Sequence, residues 1–175
     1  QKIIANSPDK YVAGVDVNSK KVTRLNRKNT FVGDGKKLSF KDSSFDCVIL
    51  AEVLEHQTEV EPFIKEGFRV LKKNGVFLIT TPNPYGLFRW LKHFLFVKNL
   101  STKKNTKEFL GFYDHKMFFE PLSIVNLLYT AGFSKVEYIS VHPSIPYFMS
   151  VIGEPNWSFW PFNRLGTYSC FKAVK

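Results

Sequence analysis

The chain has 175 residues, 44% of them hydrophobic and 23% charged, with a mean hydropathy of -0.14. That composition excludes a disordered chain, a collagen-like repeat and a membrane bundle, and a domain of this size buries about 70% of the surface its unfolded chain exposes. The formal net charge is +10 and it is concentrated: from Gly67 to Lys107 there is no acidic residue, while Arg69, Lys72, Lys73, Arg89, Lys92, Lys98, Lys103, Lys104 and Lys107 are basic.

Taken in order, apolar runs alternate with helical patterns, the arrangement of crossover units on a parallel sheet. Tyr11 to Val17 (YVAGVDV) is a short β-rich run ending in Asp, and Ser19 to Arg27 has helical spacing with Val22 and Leu25 facing inward. Asn29 to Gly33 is a second strand closed by Asp34-Gly35, and a polar loop anchored by Leu38 and Phe40 follows. Phe45 to Ala51 (FDCVILA) has the continuous apolar character of a strand buried on both faces. Glu59 to Lys72 repeats Val60, Phe63, Ile64, Phe68 and Leu71 at helical spacing, which predicts a helix stopped by Asn74-Gly75. Val76 to Thr81 is another buried strand, ended by Pro82-Asn83-Pro84.

Tyr85 to Val97 is helical with a wide apolar face and three bases, Arg89, Lys92 and His93. A lysine-rich loop runs on to Lys107. Pro121 to Ala131 predicts an amphipathic helix with Gly132 as its stop, and Val136 to Val141 and Thr167 to Val174 are strands expected to pair antiparallel. Between them, His142 to Leu165 is aromatic and without a clear period. Cys47 and Cys170 both fall inside apolar runs, so each is expected to be a small buried hydrophobe in a reducing compartment. Gln1 to Lys10 has no signal-peptide hydrophobic region, and no run approaches the ~18 apolar residues of a spanning helix.

An open α/β sheet binds its ligand outside the carboxyl ends of its strands. Three segments end there: Asp16 after the first visible strand, Asp34-Gly35 after the second, and Glu52 to His56 (EVLEH) after the third. A carboxylate at the first position can accept hydrogen bonds from two ribose hydroxyls, and one beside a glycine at the second can take an adenine amino group.

GVDVN, the Asp-Gly of FVGDG, LSFKDSSFDCVILAEVLEH and FRVLKKNGVFLITTPNP together resemble the class I S-adenosylmethionine-dependent methyltransferases over about Gln1 to Gly132. The resemblance implies a doubly wound, Rossmann-like α/β sheet, mostly parallel with an antiparallel C-terminal strand and helices on both faces. It implies S-adenosylmethionine as cofactor, with Asp16 and Val17 at its ribose, Asp34 and Gly35 at its adenine, and Ala51 and Glu52 near its methionine part. The family's glycine-rich loop is absent from these residues, so its first strand is expected upstream of Gln1, with Gln1 to Asn6 ending the next helix.

The expected organisation is a single methyltransferase domain over 1–175, with 84–120 as a substrate lid and 142–166 as an aromatic insertion. The expected reaction is methyl transfer, at oxygen, to a small-molecule, glycan or lipid-linked acceptor in the cytoplasm. His56 and His115 are the candidate bases, because imidazole titrates near neutrality; His93 and His142 have less support. Either candidate could equally be structural, and Tyr85 to Val97 could pack on the core, cover the acceptor or lie on an anionic membrane through 85–107.

Glu52, Glu55, His56 and His115 also resemble the metal-binding set of the small-RNA 2'-O-methyltransferases, in which a divalent ion polarises ribose hydroxyls. Phe112 stands where that pattern wants a second histidine, so no metal is expected and nucleic acid is not favoured. A fold that kept the cofactor and lost catalysis is a further alternative. So is a nicotinamide-dependent oxidoreductase, in which the GDG and EVLEH segments would have no role.

Overall fold

The computed structural model describes residues 11–25, 28–86, 116–141 and 168–175. His93, His115 and His142, the helix expected from Tyr85 to Val97, nearly all of the expected lid and the 142–166 insertion lie outside the described residues, as does the segment before Tyr11. The described chain forms two units, one ending at Lys41 and the other starting at Asp42.

In the first unit, β1 (Gly14–Asp16) pairs in parallel with β2 (Thr30–Val32), with α1 (Ser19–Leu25) as the crossover. The Gly33 amide donates to the Asp16 carbonyl at 3.2 Å, which extends the pairing past the strand ends. Phe40 anchors its loop by meeting Phe31 edge to face, ring centroids 6.0 Å apart.

The second unit is a four-stranded sheet in the order β3 (Phe45–Ala51), β4 (Leu71–Pro82), β6 (Tyr168–Val174), β5 (Lys135–Val141). β3 and β4 are parallel, while β6 runs antiparallel to both β4 and β5, as expected for the last two strands. A 3-10 turn (Leu54–His56) and α2 (Glu61–Val70) connect β3 to β4, and α3 (Pro121–Thr130) precedes β5. Glu120 caps α3 by accepting the Ser123 amide at 3.0 Å, and Gly132 ends it at φ 105°, a conformation that favours glycine. One face of the sheet carries the core: Phe77, Ile79, Phe171 and Ala173 pack with Phe63 and Ile64 of α2 and with Ile124 and Leu128 of α3.

Two expectations are corrected. The helix predicted to run to Lys72 ends at Val70, and Leu71 is already extended and paired with Phe45. Leu71 continues the helical spacing because it is buried, but it is buried as a strand residue. Asn74, at φ 63°, sits in the irregularity between the Leu71 and Val76 pairs rather than stopping a helix. Second, β3 is half-buried: Val48 and Leu50 pack on the core while Cys47, Ile49 and Ala51 are exposed, because the described helices cover one face of the sheet. Cys47 is therefore not a buried hydrophobe, and Cys170 is only half-buried.

The last residue ties the strands to α2: Lys175 Nζ donates to the carbonyls of Phe68 (2.7 Å) and Leu71 (2.8 Å), satisfying acceptors at the helix C-terminus. Gly67, on the buried side of α2, lies against the Phe77 ring, where an added Cβ would come within 2.6 Å of the ring. Gly67→Ala should therefore destabilise by about 1 to 2 kcal/mol, overpacking outweighing the ~1 kcal/mol that Ala gains in a helix interior. Urea unfolding checks this; a variant as stable as the parent would show that the Phe77 ring moves at no cost.

Candidate cofactor and active-site residues

At the carboxyl end of β1, the Asp16 carboxylate is fixed from two sides. The Asn18 amide donates to Oδ1 at 2.9 Å and Lys21 Nζ lies 2.6 Å from Oδ2. The Lys21 hydrogen bond, aided by the Asn18 amide, holds the carboxyl below the usual carboxylate range. Each oxygen of an ionised carboxylate has about two acceptor sites, so each retains capacity for another donor. Val17 is exposed. Asp34 lies at the same end of the β1–β2 pair, next to Gly33, and its Oδ1 accepts the Lys36 amide at 2.9 Å in a tight turn with Gly35 inside it. The structure thus brings Asp16 and Asp34 to one edge, as their positions after the two strands imply.

In the second unit, Glu52 follows β3 at φ 52°, a left-handed conformation that non-glycine residues adopt at a cost. Its amide donates to the Thr80 carbonyl at 3.0 Å, continuing the β3–β4 ladder by one residue. Glu52 Oε1 is buried without a hydrogen-bond partner among the described residues. Burial pushes the Glu52 carboxyl up, opposed by a hydrogen bond from Thr80 and reinforced by the Glu55 charge.

Glu55 is fully buried and His56 is 38% exposed in its side chain. Thr81 Oγ1 donates to Glu55 Oε2 at 3.4 Å, and His56 Nε2 is 3.9 Å from Glu55 Oε1. The Glu55 carbonyl accepts the amides of Lys116 (2.7 Å) and Met117 (3.2 Å), so the chain just after His115 is pinned to this turn. Thr81 and Ser169, paired across β4 and β6, are buried here as well, with Asn83 beyond them. Sequence reasoning missed Thr81, Asn83 and Ser169; the polar end of the apolar run Val76 to Thr81 was the available signal. Among the described residues no group of three or more His, Cys, Asp or Glu is arranged to hold a metal.

Carboxylates fixed at the carboxyl ends of parallel strands are the placement that nucleotide-type cofactors use in open α/β folds. Residues 2–79 match the family model described as a methyltransferase domain. Over 98 residues the chain is 35% identical to a sterol 24-C-methyltransferase of Aspergillus fumigatus, a match covering 50% of this chain and 24% of the relative. Over 79 residues it is 35% identical to a ubiquinone biosynthesis O-methyltransferase of Pelagibacter ubique, covering 41% and 33%. The chain spans a quarter to a third of the length of these relatives. Among solved structures, a Thermotoga maritima protein described as a methyltransferase dependent on S-adenosylmethionine superposes with a TM-score of 0.63 at 18% identity, over 93% of this chain and 72% of that one. The fold is that of the methyltransferases, and residues 2–79 match the methyltransferase-domain family model.

Proposed function

We propose that the protein transfers a methyl group from S-adenosylmethionine to a hydroxyl oxygen of a small-molecule, glycan or lipid-linked acceptor. The observation that carries this reading is Asp16: an ionised carboxylate at the carboxyl end of β1 with acceptor capacity left on both oxygens fits a pair of ribose hydroxyls. Val17 lies beside it, Asp34 and Gly35 take the adenine, and Ala51 and Glu52 serve the methionine part. The unpartnered Glu52 Oε1 supports that last assignment, because a buried acceptor is costly until it meets a donor.

When bound, the cofactor supplies a methyl group already activated by its sulfonium. The chain's own residues then have to hold and orient the reactants, exclude water and take a proton from the acceptor hydroxyl. His56, partly exposed just beyond β3, takes that proton, and His115 is the second candidate. Transfer to oxygen is favoured because a hydroxyl is the acceptor that needs such a base, and the ubiquinone relative is named as an O-methyltransferase.

Calorimetry with S-adenosylmethionine on the full-length protein, followed by methyl-labelled transfer to a panel of phenols, quinols, sterols and glycolipids, tests the reading. One equivalent bound and label recovered in an ether product is the expected result. No binding heat, or label recovered only on carbon or nitrogen, would overturn the cofactor or the oxygen assignment respectively.

A further inference from the structure

We propose that Lys21 is a positioning residue for the cofactor, one that fixes the rotation of the Asp16 carboxylate for two ribose hydroxyls; the inference rests on the reading of Asp16 as the ribose acceptor. The last side-chain torsion of an aspartate is broad, so a carboxylate held at one oxygen still swings the other. Here the two oxygens are held separately. The Asn18 amide donates to Oδ1 at 2.9 Å, and Lys21 Nζ stands 2.6 Å from Oδ2. The lysine is itself anchored, because its amide donates both to the Asn18 carbonyl at 3.0 Å and to Asn18 Oδ1 at 3.2 Å. Asp16, Asn18 and Lys21 therefore close a ring of contacts within the turn from β1 to α1.

The pair does little for the fold. The Lys21 side chain is 64% exposed and that of Asp16 28%, and an ion pair so open to solvent contributes little to stability. Nor does Asp16 need the lysine in order to be ionised at neutral pH, where an ordinary carboxyl has already lost its proton. What Lys21 adds is fixed geometry. With one protein donor on each oxygen, each keeps acceptor capacity, and that capacity belongs to a carboxylate already held in place. A ligand that meets ordered acceptors loses no affinity to ordering them. Lys20 and Arg24 are the other charged side chains of α1, β2 carries none and Asp34 follows it; Lys21 is the charged group that lowers the Asp16 carboxyl.

Titration calorimetry with S-adenosylmethionine on the full-length protein tests the proposal. Lys21→Met, which keeps the stem and removes the charge, should raise the dissociation constant about three- to tenfold, while Lys21→Arg, which keeps a charged donor, should stay within about twofold of the parent. Because the lysine acts through Asp16, Lys21→Met made on the Asp16→Ala background should change the dissociation constant no further. The weakening of binding in acid should also begin at a higher pH in Lys21→Met, since the carboxyl then lacks the charge that keeps it ionised into stronger acid. An unchanged or tighter dissociation constant in Lys21→Met, or a loss that persists on the Asp16→Ala background, would overturn the positioning role. An unchanged dissociation constant in Asp16→Ala is a different failure: it removes the ribose reading and this inference with it.

Discussion

Asp16→Ala should weaken S-adenosylmethionine binding by about 2 to 4 kcal/mol, roughly 30- to 1,000-fold in dissociation constant, because it removes two charge-assisted hydrogen bonds at once. The fold should survive, since Asp16 is on the surface edge of β1 and its partner Lys21 is itself exposed. Asp16→Asn separates charge from shape: it keeps an oxygen acceptor, loses the ionised pair, and should fall between the parent and the alanine variant. The pH dependence has a definite sign. The folded carboxyl lies below its ordinary value, so whatever this pair contributes is fully present above the unfolded carboxylate range and is lost as pH falls through the folded value. Binding should therefore be flat from neutrality down to roughly pH 5 and weaken only in stronger acid. Titration calorimetry at several pH values reads both effects, and an unchanged dissociation constant in Asp16→Ala would remove the ribose assignment altogether.

Asp16 and Asp34 were legible in the sequence because their placement depends on local signals. Each follows a short β-rich run, and a turn residue after a strand marks the strand's carboxyl end whatever the rest of the chain does. The same locality explains why Phe45–Ala51 was located to the residue and why α3 stops near Gly132. What was not legible depends on contacts between distant segments. Leu71 carried the helical period one residue too far, since periodicity reports burial and not which element buries the residue. β3 looked buried on both faces because its composition is apolar throughout, whereas its exposure is set by which face receives α2 and α3.

The site divides the same way. EVLEH marked the turn after β3, but nothing in that segment distinguishes Glu52, half-exposed at a strained φ, from Glu55, sealed beneath the turn. The difference comes from Thr81, whose position beside Glu55 depends on the β3–β4 register, and from residues 116 and 117, which close over the Glu55 carbonyl. A buried polar residue is visible in sequence only when its partner is close along the chain. Here the partners are on other strands and a returning segment, so the sequence did not mark Glu55 as the buried carboxylate of the turn.

His56→Ala should lower methyl transfer about 100- to 10,000-fold while leaving S-adenosylmethionine affinity within about twofold, the pattern of a group that acts on the proton and not on cofactor binding. If His115 is the base instead, the loss moves to His115→Ala and leaves His56→Ala near the parent rate. A divalent ion held by Glu52, Glu55, His56 and His115 makes a different pattern: all four substitutions abolish transfer alike, and chelator suppresses the parent enzyme. Phe112 stands where that set wants a second histidine, which argues against a dedicated ion. Transfer should thus persist in chelator. Loss of activity in chelator with recovery on adding magnesium or manganese would replace the base by a metal and bring ribose hydroxyls of RNA forward as the acceptor to test.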